Sequence, residues 1–121
     1  MRVKHANEVQ AVEVSTGKDT TIQVLISSQE APNFALRRFT MQHGGGMPRH
    51  TNTVEHEQYV LRGQAKIEIG AETFEVQAGD VVLIPEGVVH SYQNLGDEPF
   101  EFLCVIPNKT DQITIVDQAS C

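Results

Sequence analysis

An all-β fold is predicted for this 121-residue chain by three features of its sequence. Apolar and polar residues alternate over short runs, as in Ala65, Ile67 and Ile69 against Gln64, Lys66 and Glu68. The runs are strand-sized and are cut by turn residues at Gly63, Gly70 and Gly79-Asp80. No stretch repeats its apolar residues at the period of a helix. Side chains alternate across a strand, so a period of two broken by Gly, Pro and Asn-Asp points to a barrel or sandwich.

The elements follow in order. Residues 1–20 are polar with scattered Val3, Val9, Val12 and Val14, which gives an edge strand and a loop around Ser15-Thr16-Gly17. In a strand near residue 37, Arg37 shares a face with Phe39 and Met41, and Arg38 shares the other with Leu36 and Thr40. One arginine must then face the interior, and Arg37 is the better candidate for holding an anionic group. A strand through Val60-Leu61 ends at Arg62-Gly63; Gln64 to Ile69, Thr73 to Val76 and Val81 to Ile84 follow. In Phe100 to Ile106 the charged Glu101 marks the outward face, so Phe102 and Cys104 point inward. Residues 108–121 form a polar tail with one strand-like piece at Ile113 to Val116. There is no internal repeat.

The length fits one domain with a single core. Nine Lys and Arg against sixteen Asp and Glu give a net charge of −7. Nucleic-acid affinity comes largely from neutralising phosphates, and this chain has no basic footprint for it. No segment approaches the roughly 18 apolar residues of a membrane span, the longest aliphatic run being Val81 to Ile84. The N-terminus lacks the apolar core of a secretory signal. Cys104 and Cys121 are the only cysteines, and Cys121 lies on the polar tail, so reduced thiols and a cytoplasmic location are expected.

Two segments carry the chemistry. The first runs from Gly44 through His50, Asn52 and His56 to Gly63; the second from Gly79 through Pro85, Gly87 and His90 to Asn94. They resemble the paired signature of the cupin superfamily, G-x5-H-x-H-x3-4-E-x6-G followed by G-x5-P-x-G-x2-H-x3-N. Every fixed position of the second motif is present. The first departs twice: Asn52 stands at the second histidine and His56 at the glutamate. The 15 residues from Gln64 to Ala78 match the spacing of compact single-domain cupins. Within the superfamily, the stretches 31–40, 49–63 and 101–107 are similar to small manganese-type cupins with a four-histidine arrangement. The resemblance covers about residues 20–108 and implies one cupin domain over 1–121, folded as a double-stranded β-helix, or jelly roll. Small cupins of this kind commonly pair as homodimers, here through the strand-like N-terminal segment.

His50 and Asn52, two apart in a strand, share a face about 6.6 Å along the chain and offer neighbouring coordination positions. His56 opens the next strand, and His90 follows the turn built by Pro85 and Gly87. The expected metal ligands are His50, Asn52, His56 and His90. Imidazoles suit zinc, copper, iron or nickel, and an amide oxygen leans the choice to manganese or iron, one divalent ion per chain. Asn52 either donates its side-chain oxygen or stands back and holds a bound water. His5 and His43 fit neither motif and are expected in solvent.

Glu55 and Glu57 fall on the face opposite His56, whereas Gln58 and Val60 continue its face. Tyr92 shares the face of His90 and either donates a phenolic proton or packs. The expected pocket lining is Arg37, Gln58, Val60, Tyr92, Phe102 and Cys104, with Ile106 adding to the apolar wall. A ligand set without carboxylate keeps the full charge of the ion, favours anionic or enolate-like substrates and acidifies bound water. The leading expectation is a small oxygenase-like or dioxygenase-like oxidoreductase acting on a small organic molecule. The alternatives are a metal-dependent isomerase or lyase that polarises a carbonyl, and a non-enzymatic binding or sensing module.

Overall fold

The computed structural model describes residues 2–116. A short 3-10 turn at Ala6–Glu8 precedes ten strands: β1 (Val12–Glu13), β2 (Lys18–Ile26), β3 (Phe34–Asn52), β4 (His56–Arg62), β5 (Gln64–Ile69), β6 (Glu72–Gln77), β7 (Val81–Ile84), β8 (His90–Gln93), β9 (Phe100–Pro107) and β10 (Ile113–Ile115). All strand pairs are antiparallel, and the main path runs β6-β5-β8-β3-β9-β4-β7. The sheet curls on itself as a jelly-roll barrel. No helix among the described residues is long and apolar enough to cross a membrane.

The nineteen residues of β3 organise the barrel. Its first half pairs with β2 and β9, matching Phe39 to Ile22 on one side and to Phe102 on the other. Its second half pairs with β8, matching His50 to His90. The strand runs straight through Gly44-Gly45-Gly46 and changes partners there. Glycine makes this possible: Gly44 has φ 79°, and a Cβ on Gly46 would run into the Tyr92 carbonyl. One strand therefore presents Arg37, Phe39 and Met41 from its first half and Met47, His50 and Asn52 from its second.

Alternation is visible in burial. In β9, Phe100, Phe102 and Cys104 are buried while Glu101 and Leu103 are only partly so. The core joins these three to Met41, Met47, Val60, Ala65, Ile67, Val76, Val82, Ile84 and Tyr92, with Ile106 packed against it. Phe102 links the aromatic layer, stacking on Phe39 at 5.2 Å and on Tyr92 at 5.3 Å between ring centroids. Asn94, fully buried, closes the end of the second motif by donating to the carbonyls of Met41 and Glu98.

Segments near both ends of the described residues join the sheet. β1 pairs with β2. The C-terminal segment, expected as a flanking tail, adds β10 to β3, opposite Asn52, Thr51 and His50. Cys104 is a buried free thiol; Cys121 lies outside the described residues.

Phe100 is completely buried against Phe102. Removing its ring leaves a cavity that a barrel wall cannot collapse into, so Phe100→Ala should lower the unfolding free energy by roughly 3–5 kcal/mol. Urea unfolding reads this directly, and a loss below about 1 kcal/mol would contradict the packing described.

Candidate metal centre

The second half of β3, the start of β4 and the start of β8 bring His50, Asn52, His56 and His90 to one cavity of about 180 Å3. All four side chains are buried. His50 and His90 sit opposite each other in the β3–β8 register, with ring centroids 4.1 Å apart; His56 lies 5.9 Å from His90. Among the described residues no three His, Cys, Asp or Glu side chains are gathered as a group that could by itself hold a metal ion. The donor group is open, with His56 further from His90 than His50 is and an amide oxygen as its fourth member.

Backbone carbonyls orient two of the histidines. His50 Nδ1 lies 2.7 Å from the Pro48 carbonyl and His90 Nδ1 2.9 Å from that of Val88. A carbonyl only accepts, so each Nδ1 carries the proton and each Nε2 keeps a lone pair. The Nε2 atoms of His56 and His90 and the Oδ1 of Asn52 are buried without a hydrogen-bond partner. Native interiors rarely leave such atoms unsatisfied. Unsatisfied buried atoms from three strands around one cavity, with lone pairs on His90 Nε2 and Asn52 Oδ1, are what a divalent cation would satisfy, and in this respect the residues fit a metal.

Burial keeps the imidazoles neutral. Desolvation pushes His56 down to about 3, helped by the positive charge of Arg37 and by the neighbouring His90 and His50. His90 is pushed down to about 4 by burial, against the Val88 carbonyl that favours its charged form. His50 is also lowered, chiefly by burial. Neutral imidazole is the form that ligates.

The wall of the cavity is aromatic and apolar, built by Val14, Ile22, Phe39, Met41, Met47, Phe102 and Ile113. Three polar groups interrupt it. Gln58 Nε2 donates to the Tyr92 hydroxyl at 2.6 Å. Complete burial pushes the Tyr92 phenol well above its ordinary value, so it stays protonated. The Arg37 guanidinium lies over Phe39 at 5.0 Å and donates to Cys104 Sγ at 3.1 Å, while its Nε is buried without a partner. Three residues expected on the wall sit behind it: Val60 and Cys104 belong to the core, Cys104 beneath Arg37 and Gln58, and Ile106 packs against that core. Glu55 and Glu57 face solvent, as do His5 and His43.

Asp111 escaped the sequence reading. It lines the cavity and accepts from Asn52 Nδ2 at 3.1 Å and from the Thr53 backbone N–H at 3.0 Å. A lone aspartate in a polar tail carries no motif. The only available signal was the apolar alternation of Ile113 and Ile115, which marks a strand in need of a partner. A larger concavity of about 560 Å3, lined by Arg2, Lys4, Leu25, Glu30 and Leu36, has none of these histidines on its wall.

Fold and site together define a small barrel with a histidine-rich cavity, and the chain belongs to the cupin family: the cupin domain model matches residues 37–106. Among curated relatives, oxalate decarboxylase OxdC of Bacillus subtilis is 37% identical over 70 residues, covering 53% of this chain and 18% of that protein. An uncharacterized protein of Methanocaldococcus jannaschii is 36% identical over 52 residues, covering 43% of this chain and 42% of the relative. The chain thus spans less than half the length of either. Among solved structures, the polyketide cyclase RemF from Streptomyces resistomycificus superposes with a TM-score of 0.91 at 30% identity, over 99% of this chain and 88% of that one. A predicted oxalate decarboxylase from Thermotoga maritima superposes with a TM-score of 0.80 at 23% identity, a likeness of fold alone.

The buried imidazoles set a pH dependence in the metal-free protein. Their pKa values in the fold lie below the ordinary 6.5. Between those values and 6.5 the unfolded chain binds protons that the folded chain does not. Stability is therefore fully present above about pH 6.5 and falls as the pH drops toward 4. Thermal melts of metal-free protein from pH 7.5 to 4.5 should show a steadily falling Tm; a flat profile would mean that the histidines are not buried neutral.

Proposed function

We propose that this cupin is a metal-dependent enzyme that polarises a carbonyl of a β-dicarbonyl or polyketone-type substrate, promoting carbon–carbon bond chemistry without a change of oxidation state. The observation that carries this reading is a neutral donor group sharing one cavity with a guanidinium whose Nε is unpaired and with a protonated phenol. His50, Asn52, His56 and His90 would hold the ion, with manganese or iron favoured by the amide oxygen and zinc, nickel or copper also served by imidazole. When bound, the ion supplies Lewis-acid polarisation of a carbonyl oxygen.

The remaining work falls to the chain's own groups. Arg37 offers its unpaired Nε to an enolate or carboxylate oxygen. The Tyr92 oxygen already accepts from Gln58, so its own proton is free to be donated to a developing enolate. Phe39, Phe102 and the apolar mouth exclude water and give a flat substrate a surface to lie on. The volume of about 180 Å3 is below the ~300 Å3 of typical small-molecule sites, so the reacting end of a long polyketone would enter and the rest would lie in the mouth. Similarity to RemF over nearly the whole chain supports the choice. Likeness to OxdC over 53% of the chain points to oxygen-rich anionic substrates in the same region.

An oxygenase-like activity is the second reading, favoured by the three histidines of an open donor group. Turnover of a linear aromatic triketone by manganese-loaded protein under nitrogen distinguishes the two. Ring closure should proceed without oxygen, Tyr92→Phe should lower kcat about 100-fold with metal content unchanged, and His90→Ala should lose the metal. Turnover that requires oxygen and consumes it in proportion would establish the oxygenase instead. Tight binding of the triketone with no turnover would establish a binding module.

A further inference from the structure

We infer that Asp111 is a positioning residue for the metal centre: it turns Asn52 so that the amide oxygen becomes the fourth donor, and it thereby couples metal loading to the seating of the C-terminal strand. The inference rests on the metal reading of the proposed function and adds to it a residue outside both sequence motifs.

The need for such a residue follows from the chemistry of an amide. A histidine ligand is oriented by its second ring nitrogen, as His50 and His90 are by the carbonyls of Pro48 and Val88. Asparagine has no second nitrogen to spend in that way. Its two ends are nearly the same size, and either could face the cavity. A carboxylate only accepts hydrogen bonds, so the Asn52 NH2 must be the end that meets Asp111, at 3.1 Å from Oδ2 and 3.4 Å from Oδ1. The oxygen is left facing the cavity, where it is buried and unpartnered. Replacing an imidazole by an amide at position 52 thus calls for an orienting group from elsewhere, and Asp111 supplies it.

Asp111 does not act from a loose tail. Its Oδ1 also accepts from the Thr53 N–H at 3.0 Å. The Thr53 hydroxyl donates to the Thr110 carbonyl and accepts from the Gln112 N–H, bracketing Asp111 on both sides. Beyond it, Ile113 and Ile115 pair with Asn52 and His50, and the Val116 N–H donates to the Arg49 carbonyl. The whole clasp therefore lies along the two donors at the end of β3. An ion that satisfies Asn52 Oδ1 fixes the amide and, through it, the carboxylate that anchors residues 110–116.

Cobalt(II) binding to the wild-type protein and its variants tests this, since cobalt absorbs in the visible according to its ligands. Asp111→Ala should weaken cobalt affinity roughly 10–100-fold, the usual effect of removing a group that orients a ligand. It should shift the visible bands in the same way as Asn52→Ala, and the double variant should bind no more weakly than Asn52→Ala alone. Asp111→Asn, which keeps an acceptor oxygen, should recover most of the affinity. In wild-type protein, saturating cobalt should slow tryptic cleavage after the exposed Lys109. Wild-type affinity and spectrum in Asp111→Ala, or losses that multiply in the double variant, would overturn the inference. So would cleavage at Lys109 that cobalt leaves unchanged, a result that decides the matter even if Asp111→Ala fails to fold. Wild-type protein that binds no cobalt would be a different failure, removing the metal reading itself and this inference with it.

Discussion

Four buried polar side-chain atoms among the described residues lack partners: Nε2 of His56 and of His90, Oδ1 of Asn52 and Nε of Arg37. Each such atom costs about 1–3 kcal/mol when left unpaired, a large sum for a small domain. Such an arrangement persists only where the surrounding structure overdetermines it. Here the surroundings are the aromatic layer of Phe39, Phe102 and Tyr92, the fully buried Phe100, and the backbone carbonyls that hold two imidazoles in place. The barrel stabilises a cavity whose unsatisfied polar atoms lie on three of its strands.

Strand β3 makes the arrangement possible. Because it crosses from the β2–β9 side to the β8 side through three glycines, one continuous strand brings a cation and aromatic rings from one half to the imidazole and amide of the other. No loop intervenes, so the separation between Arg37 and the donor group is set by strand geometry. That rigidity suits a site in which a guanidinium and a metal would share the two ends of one small substrate.

Much of this was legible in the sequence because it depended on periodicity and spacing. The inward faces of β4 and β9 followed from alternation, as did the solvent side of Glu57 and Glu101. His50, Asn52, His56 and His90 were named from motif spacing, and the cavity gathers all four. What the sequence hid depended on tertiary pairing. Nothing local shows that Gly44 to Gly46 bend a strand without ending it, since the same glycines would also make a turn. Nothing local distinguishes Val60, one alternate position past Gln58, as core while Gln58 reaches the cavity. Asp111 was invisible because its role arises only once β10 adds to β3, 59 residues after Asn52.

The proposed metal site consists of three imidazoles and an amide oxygen. X-ray absorption at the metal edge of manganese-loaded wild-type protein tests it most directly. The account predicts three nitrogen scatterers showing the outer-shell pattern of imidazole, with the remaining positions filled by oxygen at about 2.0–2.2 Å. A spectrum with oxygen neighbours only, or one with a sulfur neighbour at about 2.3 Å, would contradict it.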